Sequence, residues 1–195
     1  MTKVLNVTAI AGSLQQPSRT EALLDAIIGE LQAAIPARVR TVKLSEIGPQ
    51  VGGAMQRVHL PADAFAAVQA IEEADLLIVA SPVYRASYTG LLKHLFDFVG
   101  REALVGRPVL LAATGGTERH MLMIDHQLRP LFAFFDAVPL PLGIYATEGD
   151  FIDFRPVSPA LVERIARAVD AALPWLNRLE AAQPAILRQP FLAQL

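Results

Sequence analysis

Just before a predicted helix the chain carries Gly12, Ser13, Gln15, Ser18, Arg19 and Thr20, a set of hydroxyls, one amide and one arginine. Those types in that place suit a phosphate. Free N–H groups and the positive dipole end of a helix attract a dianion, the hydroxyls of Ser13, Ser18 and Thr20 can donate to it, and Arg19 brings charge. The loop has neither the lysine of a nucleoside-triphosphate loop nor three spaced glycines, so a terminal monophosphate fits better than a triphosphate or a dinucleotide. A second reading needs no ligand: Ser18 and Glu21 have the spacing of a capping box, in which Ser18 simply starts the helix.

Residues 81–90 add a largely uncharged, aromatic surface. Here Tyr84 can pack against a planar ring while the adjacent main chain of Pro82, Val83 and Arg85 meets its polar edge. Without a ligand, Tyr84 and Tyr88 are ordinary half-buried packing. Farther on, Thr114, Gly115, Gly116 and Thr117 form a turn whose glycines let the backbone approach a flat ligand and whose Thr117 can cap another helix. Each loop alone is a weak signal. Three ligand-suited loops at three strand ends are much less expected by chance.

The elements that must carry these loops follow from periodicity. Apolar runs rich in β-branched residues at 4–11, 75–80 and 108–113 predict strands covered on both faces, as in a parallel sheet. Helical patterns over 21–34 and 62–73, and a weaker strand over 38–44, alternate with them and imply right-handed crossovers. A helix after Thr117, a fifth strand near 140–145 and a long helix from about 158 to 180 complete the set. Residues 47–61, with glycines at 48, 52 and 53, are expected to form a long loop on the ligand edge. Residues 1–180 read as a single domain and 181–195 as an extended C-terminal tail. Five strands so connected fit an α/β three-layer sandwich with the flavodoxin-like order 2-1-3-4-5, whose ligands bind beyond the carboxyl ends of the strands.

Composition excludes several classes. The 195 residues, 53% hydrophobic and 18% charged, suit one well-packed domain. With 17 basic and 19 acidic residues the net charge is −2, without the excess that nucleic acid or an anionic membrane surface asks of a partner. No run approaches the roughly 18 apolar residues of a spanning helix. There is no cysteine, so electron transfer would need a bound cofactor. Histidines 59, 94, 120 and 126 lack metal-ligand spacing, and no metal site is expected. The opening segment is too short and polar for a signal peptide, which points to a cytoplasmic location.

Gly12 and Ser13 with Ser18, Arg19 and Thr20, then Pro82, Val83 and Tyr84 with Tyr88, Thr89, Gly90 and Lys93, then Thr114, Gly115 and Gly116 form a combined pattern. By it the chain resembles the NAD(P)H-dependent FMN reductases of the flavodoxin-like superfamily. The resemblance implies that the first loop holds the FMN phosphate and the second and third hold the isoalloxazine ring. The second block is the more specific, since quinone, azo-dye and metal-oxyanion reductases share the first loop. Within the superfamily the chain is most similar to the flavin reductases that serve two-component sulfonate monooxygenases, above all through residues 113–130. That likeness implies hydride transfer from NADH or NADPH to FMN and delivery of reduced flavin to a flavin-dependent monooxygenase. Such chemistry belongs to the cofactors and asks chiefly for stacking and alignment, so no catalytic acid or base is assigned, His120, Asp125 and His126 included. Two other readings share these loops: an FMN-retaining quinone, azo or oxyanion reductase, and a flavodoxin-type electron carrier, against which the small net charge argues.

The helix after Gly116 holds Pro130, which has no N–H for the His126 carbonyl, so the helix must stop, kink or widen into a π-turn. The resemblance implies a π-helix here at a tetramer interface, with His126 where related reductases often carry tyrosine. Met121, Leu122, Met123, Ile124, Leu128, Leu131, Phe132, Phe134 and Phe135 cover more than one face of this helix, more than a single core is expected to bury. That points to a homo-oligomer, a dimer or a tetramer. Lys93 and Asp97 have the spacing of a helical salt bridge, while the resemblance would place Lys93 across a dimer interface.

Overall fold

The computed structural model describes residues 4–182, with side chains described through residue 176. The apolar runs become β1 (Leu5–Ala11), β3 (Leu76–Pro82) and β4 (Pro108–Gly115), buried along nearly their whole length. Between them lie α1 (Arg19–Ala34), β2 (Ala37–Lys43), α2 (Leu44–Gly52), α3 (Ala62–Glu73) and α4 (Gly90–Asp97). A π-helical segment (Ile124–Leu128) runs into α5 (Arg129–Phe134), followed by β5 (Val138–Pro139), β6 (Ile144–Thr147), the hairpin β7 (Phe151–Ile152) and β8 (Arg155–Pro156), and α6 (Pro159–Ala182). Among the described residues no helix is long and apolar enough to cross a membrane.

The main sheet is wholly parallel in the order β2-β1-β3-β4-β5, with β6 also paired to β4, which is the flavodoxin-like arrangement. Strand β2 forms an edge, and its exposed Arg38 and Arg40 keep that edge from pairing further. Side chains alternate between two cores. Leu77, Val79, Val109 and Leu111 pack under α2, α3, α4 and residues 123–135, while Leu76, Ile78, Leu110 and Ala112 pack under α1 and α6. Each fully buried side chain of this size contributes about 1.5–3 kcal/mol over an exposed one. Helix α1 starts at Ser18, whose hydroxyl accepts the Glu21 N–H at 3.3 Å, and buries Leu23, Leu24, Ile27 and Leu31 at helical spacing.

Register positions the strand ends. Ala11 lies opposite Ala80, Pro82 opposite Thr114, and Gly115 opposite Thr147, so the loops after β1, β3, β4 and β6 open on one edge of the sheet.

Several expectations need correction. The loop expected over 47–61 holds most of α2 and a 3-10 turn at Arg57–His59. The glycines read as loop punctuation serve packing: a Cβ on Gly48 or Gly52 would stand 3.4 or 3.2 Å from the Leu91 side chain of α4. The strand expected over 140–145 is split into β5 and β6, because Pro139 and Pro141 cannot donate to a ladder and residues 140–143 loop out. Arg129 donates to the carbonyls of that excursion, Leu140 and Pro141 both at 2.8 Å.

The helix expected after Thr117 is broken into a 3-10 turn at Glu118–His120, the π segment and α5. The π bond runs from the Arg129 N–H to the Ile124 carbonyl. The protein's own core buries six of the nine apolar residues there, because the broken axis turns Met123, Ile124, Leu128, Leu131, Phe132 and Phe135 all inward; Met121, Leu122 and Phe134 stay exposed. Lys93 pairs with Asp97 along α4. Of the tail placed at 181–195, residues 181 and 182 belong to α6 and the rest lie outside the described residues.

Candidate functional site

A cleft of about 250 Å³ opens at the carboxyl edge of the sheet, between the loops after β1, β3 and β4. Its lining contains Ser13, Gln15, Ser18, Arg19 and Thr20 from the first loop, Pro82, Val83 and Tyr84 from the second, and Thr114, Gly115 and Gly116 from the third. Of the loop residues singled out in the sequence, Gly12, Arg85, Tyr88 and Thr117 stay outside this lining. Tyr84 and Ser87 exchange backbone hydrogen bonds of 2.8 and 3.1 Å, closing a two-residue turn that holds Arg85 and Ala86 at φ of 50° and 68° and turns Arg85 to solvent. A turn with both central residues at positive φ normally carries Asn or Gly, so the backbone here is strained to present Tyr84.

The first loop stands on a buried carboxylate. Glu21 does not complete the capping box. Its Oε1 accepts the hydroxyls of Ser13 at 3.2 Å and Ser45 at 2.8 Å, and its Oε2 accepts the Gln16 amide at 3.4 Å and lies 3.3 Å from the Lys43 ammonium. Burial pulls the Lys43 pKa down, yet Glu21, with Glu46 and Asp25 adding to it, makes the net shift upward.

These bonds set what the cleft can offer. The Ser13 proton is spent on Glu21, so Ser13 faces the cleft without a free O–H donor. Ser18 accepts from the Glu21 N–H, which leaves its own O–H free, so it serves both as a cap and as a cleft donor. Thr20 and Thr114 hydroxyls meet at 2.6 Å, joining the first and third loops, and one of their two protons remains for a ligand. The N–H groups of Arg19 and Thr20, in the first helical turn, have no intrahelical partner.

The other loops are tied to the same frame. Ser81, fully buried, accepts the Thr89 N–H at 3.3 Å, and Thr89 donates its hydroxyl to the Gly12 carbonyl at 2.9 Å. The Val83 N–H donates to the Thr114 carbonyl at 2.8 Å. Gly115 is pinned from behind: a Cβ there would lie 2.1 Å from the Tyr145 hydroxyl, which itself donates to the Thr117 carbonyl at 2.7 Å. Burial raises the Tyr145 pKa, keeping it a neutral donor. A Cβ on Gly116 would meet nothing within 4 Å, so that side of the turn is open to a ligand.

Four lining residues carried no readable signal: Pro17, Thr147, Glu148 and Phe154. Thr147 ends β6 opposite Gly115, and its N–H and hydroxyl both donate to Asp150, at 2.7 and 3.0 Å. Burial pushes the Asp150 carboxyl up, but those bonds, the Ser158 hydroxyl and the Arg164 charge hold it below the usual carboxylate range. Glu148 forms an ion pair with Arg19. Phe154 sits in the β7–β8 turn at φ 60°, with the Arg19 guanidinium 5.5 Å from its ring centre.

The two ends of the cleft therefore differ. One offers hydroxyls, N–H groups and a guanidinium at a helix start; the other offers an uncharged wall of Pro82, Val83 and Tyr84 facing an open glycine turn. That pairing fits a phosphate joined to a flat ring, as in a flavin mononucleotide.

Comparison with known proteins agrees. Residues 5–151 match the family described as NADPH-dependent FMN reductase. The chain is 53% identical over 174 residues to the NADH-dependent FMN reductase SfnF of Pseudomonas fluorescens, covering 89% of this chain and 93% of that one. It is 52% identical over 174 residues to an FMN reductase (NADPH) of Pseudomonas aeruginosa, covering 89% and 94%. The solved structure of an oxidoreductase from Corynebacterium diphtheriae superposes with a TM-score of 0.81 at 35% identity, over 90% of this chain and 98% of that chain. The chain belongs to the NADPH-dependent FMN reductase family.

Proposed function

We propose that the cleft binds FMN with its phosphate at Ser18, Arg19 and Thr20 and its ring between Tyr84 and the 114–116 turn, and that the reduced flavin then passes to a separate flavin-dependent monooxygenase. The carrying observation is that one cleft at the carboxyl edge of the sheet gathers both kinds of surface. FMN supplies the redox chemistry, taking a hydride from NADH or NADPH. The chain's own part is to bind and align. Ser18 and the first-turn N–H groups hold the phosphate, the Arg19 guanidinium donates to it, and Tyr84 and Val83 cover the ring. No side-chain acid or base is assigned to the hydride step.

Sulfonate sulfur assimilation is the setting we assign to the partner monooxygenase, on the sequence likeness of residues 113–130. We place the protein in the cytoplasm as a homo-oligomer, a dimer or tetramer, with the exposed Met121, Leu122 and Phe134 supporting association. The relatives at 53% and 52% identity are named for different nucleotides, so both belong in the test. Steady-state oxidation of NADH and NADPH with FMN, FAD and riboflavin as acceptors is expected to favour FMN, and reduced flavin is expected to leave and support an added monooxygenase. Flavin that stays bound through many turnovers while a quinone accepts the electrons would replace this reading with an FMN-retaining quinone reductase.

A further inference from the structure

We propose that Glu148 limits the hold of the cleft on the flavin phosphate and so sets how readily FMN leaves. The inference rests on the placement of that phosphate at the start of α1. Among the residues lining the cleft, Arg19 is the one cation and Glu148 the one carboxylate, and the two are ion-paired. The lining therefore carries no net charge where a dianion must sit. Glu148 is not held there by Arg19 alone. It follows β6 in a short turn fixed by the two hydrogen bonds of Thr147 to Asp150, which keep its backbone next to the first loop and its carboxylate within reach of the guanidinium. Beneath the loop, Lys43 is already shared between Glu21 at 3.3 Å and Glu46 at 3.9 Å.

A guanidinium has donors enough for a carboxylate and a phosphate together, but the two anions then repel one another across a few ångströms. A retaining flavoprotein gains from an unshared arginine; a protein that releases its flavin gains from a shared one. Riboflavin, which has no phosphate, should not sense Glu148.

Kd and dissociation rate for FMN and riboflavin, measured by flavin fluorescence on the purified protein, test this. Glu148→Gln keeps the shape and removes the charge. It is expected to tighten FMN about tenfold and slow its release by a similar factor. The gain should shrink at 0.5 M salt, as for half-exposed charges, and riboflavin binding should change less than twofold. Glu148→Asp, which keeps the charge, should bind FMN within about threefold of the parent. An unchanged FMN Kd in Glu148→Gln, or an equal gain for riboflavin, would overturn the proposal. A parent protein that binds riboflavin as tightly as FMN would instead overturn the phosphate placement itself.

Discussion

Gly115 is where a single methyl group should do most damage. A Cβ there would stand 2.1 Å from the Tyr145 hydroxyl oxygen and 3.1 Å from its Cζ, against the 3.5–4.0 Å or so that non-bonded carbon contacts prefer. Tyr145 cannot give way freely, because it is 6% exposed and its hydroxyl is bound to the Thr117 carbonyl. Gly115→Ala must therefore lose that hydrogen bond, about 0.5–1.5 kcal/mol, and overpack the strand end, about 1–3 kcal/mol. The total is roughly 2–4 kcal/mol. At about 2–4 °C per kcal/mol for a chain of this length, Tm falls by roughly 4–16 °C. Scanning calorimetry of the parent, Gly115→Ala, Tyr145→Phe and the double variant measures it. Removing the phenolic oxygen takes away the worst contact, so the double variant should recover more than half of the loss, a coupling that independent sites would not show. FMN affinity should follow the same order, since the 114–117 turn is one wall of the cleft. A Gly115→Ala protein that melts within 2 °C of the parent, or a double variant no better than the sum of its singles, would refute the reasoning.

Other outcomes follow from the same geometry. Arg19→Ala should weaken FMN about tenfold while leaving riboflavin within twofold, by titration calorimetry; equal losses would remove Arg19 from the phosphate. Phe154→Gly relieves a positive φ that costs of order 1 kcal/mol, so Tm should hold or rise slightly even as FMN binding weakens; a fall of several degrees would show that the ring stabilises the fold. The Glu72 carboxyl is pushed up by burial, but its two bonds to Arg57 and the Gly100 N–H at 2.8 Å outweigh that and hold it below its ordinary value of 4.5. A depressed carboxyl contributes stability that is complete above its unfolded pKa and lost as pH falls through the folded one. The stability gap between the parent and Glu72→Gln should therefore be widest at neutral pH and close below about pH 4.5, read by urea unfolding; a constant gap from pH 7 to 3 contradicts the assignment.

How far the fold could be read in advance depended on where the signal was local. Strands β1, β3 and β4 are buried on both faces, so their apolar runs were unbroken, and the cap of α1 and the periodicity of α1 and α3 needed only neighbouring residues. Helix α2 was missed because Pro49 and its glycines are local breakers, and what overrides them is the packing of Gly48 and Gly52 against Leu91, a residue far along the chain. The divided fifth strand hid for the same reason. Its excursion is closed by Arg129 from another element, and Gly143 passes so near the π segment that a Cβ would fall 2.8 Å from the Ile124 side chain.

The site divides along a similar line, and the division bears on function. Residues at the ends of β1, β3 and β4 were legible because each loop has a composition that makes chemical sense alone. Glu148 and Phe154 reach the cleft only through the register of Gly115 with Thr147 and through a hairpin whose turn pair, Asp153 and Phe154, lacks the glycine that would announce it. What composition could not supply was the count of free donors. The loop lists three hydroxyls, yet the Ser13 proton goes to Glu21, Thr20 shares with Thr114, and the arginine shares with Glu148. A phosphate in this cleft thus meets fewer unspent donors than the sequence advertises, while the ring meets a wall of Pro82, Val83 and Tyr84 that spends nothing. Fewer unspent donors for the phosphate beside an uncharged wall for the ring would suit a protein that aligns flavin for reduction over one built to keep it, which is the sense in which the redistributed bonds support the proposed release.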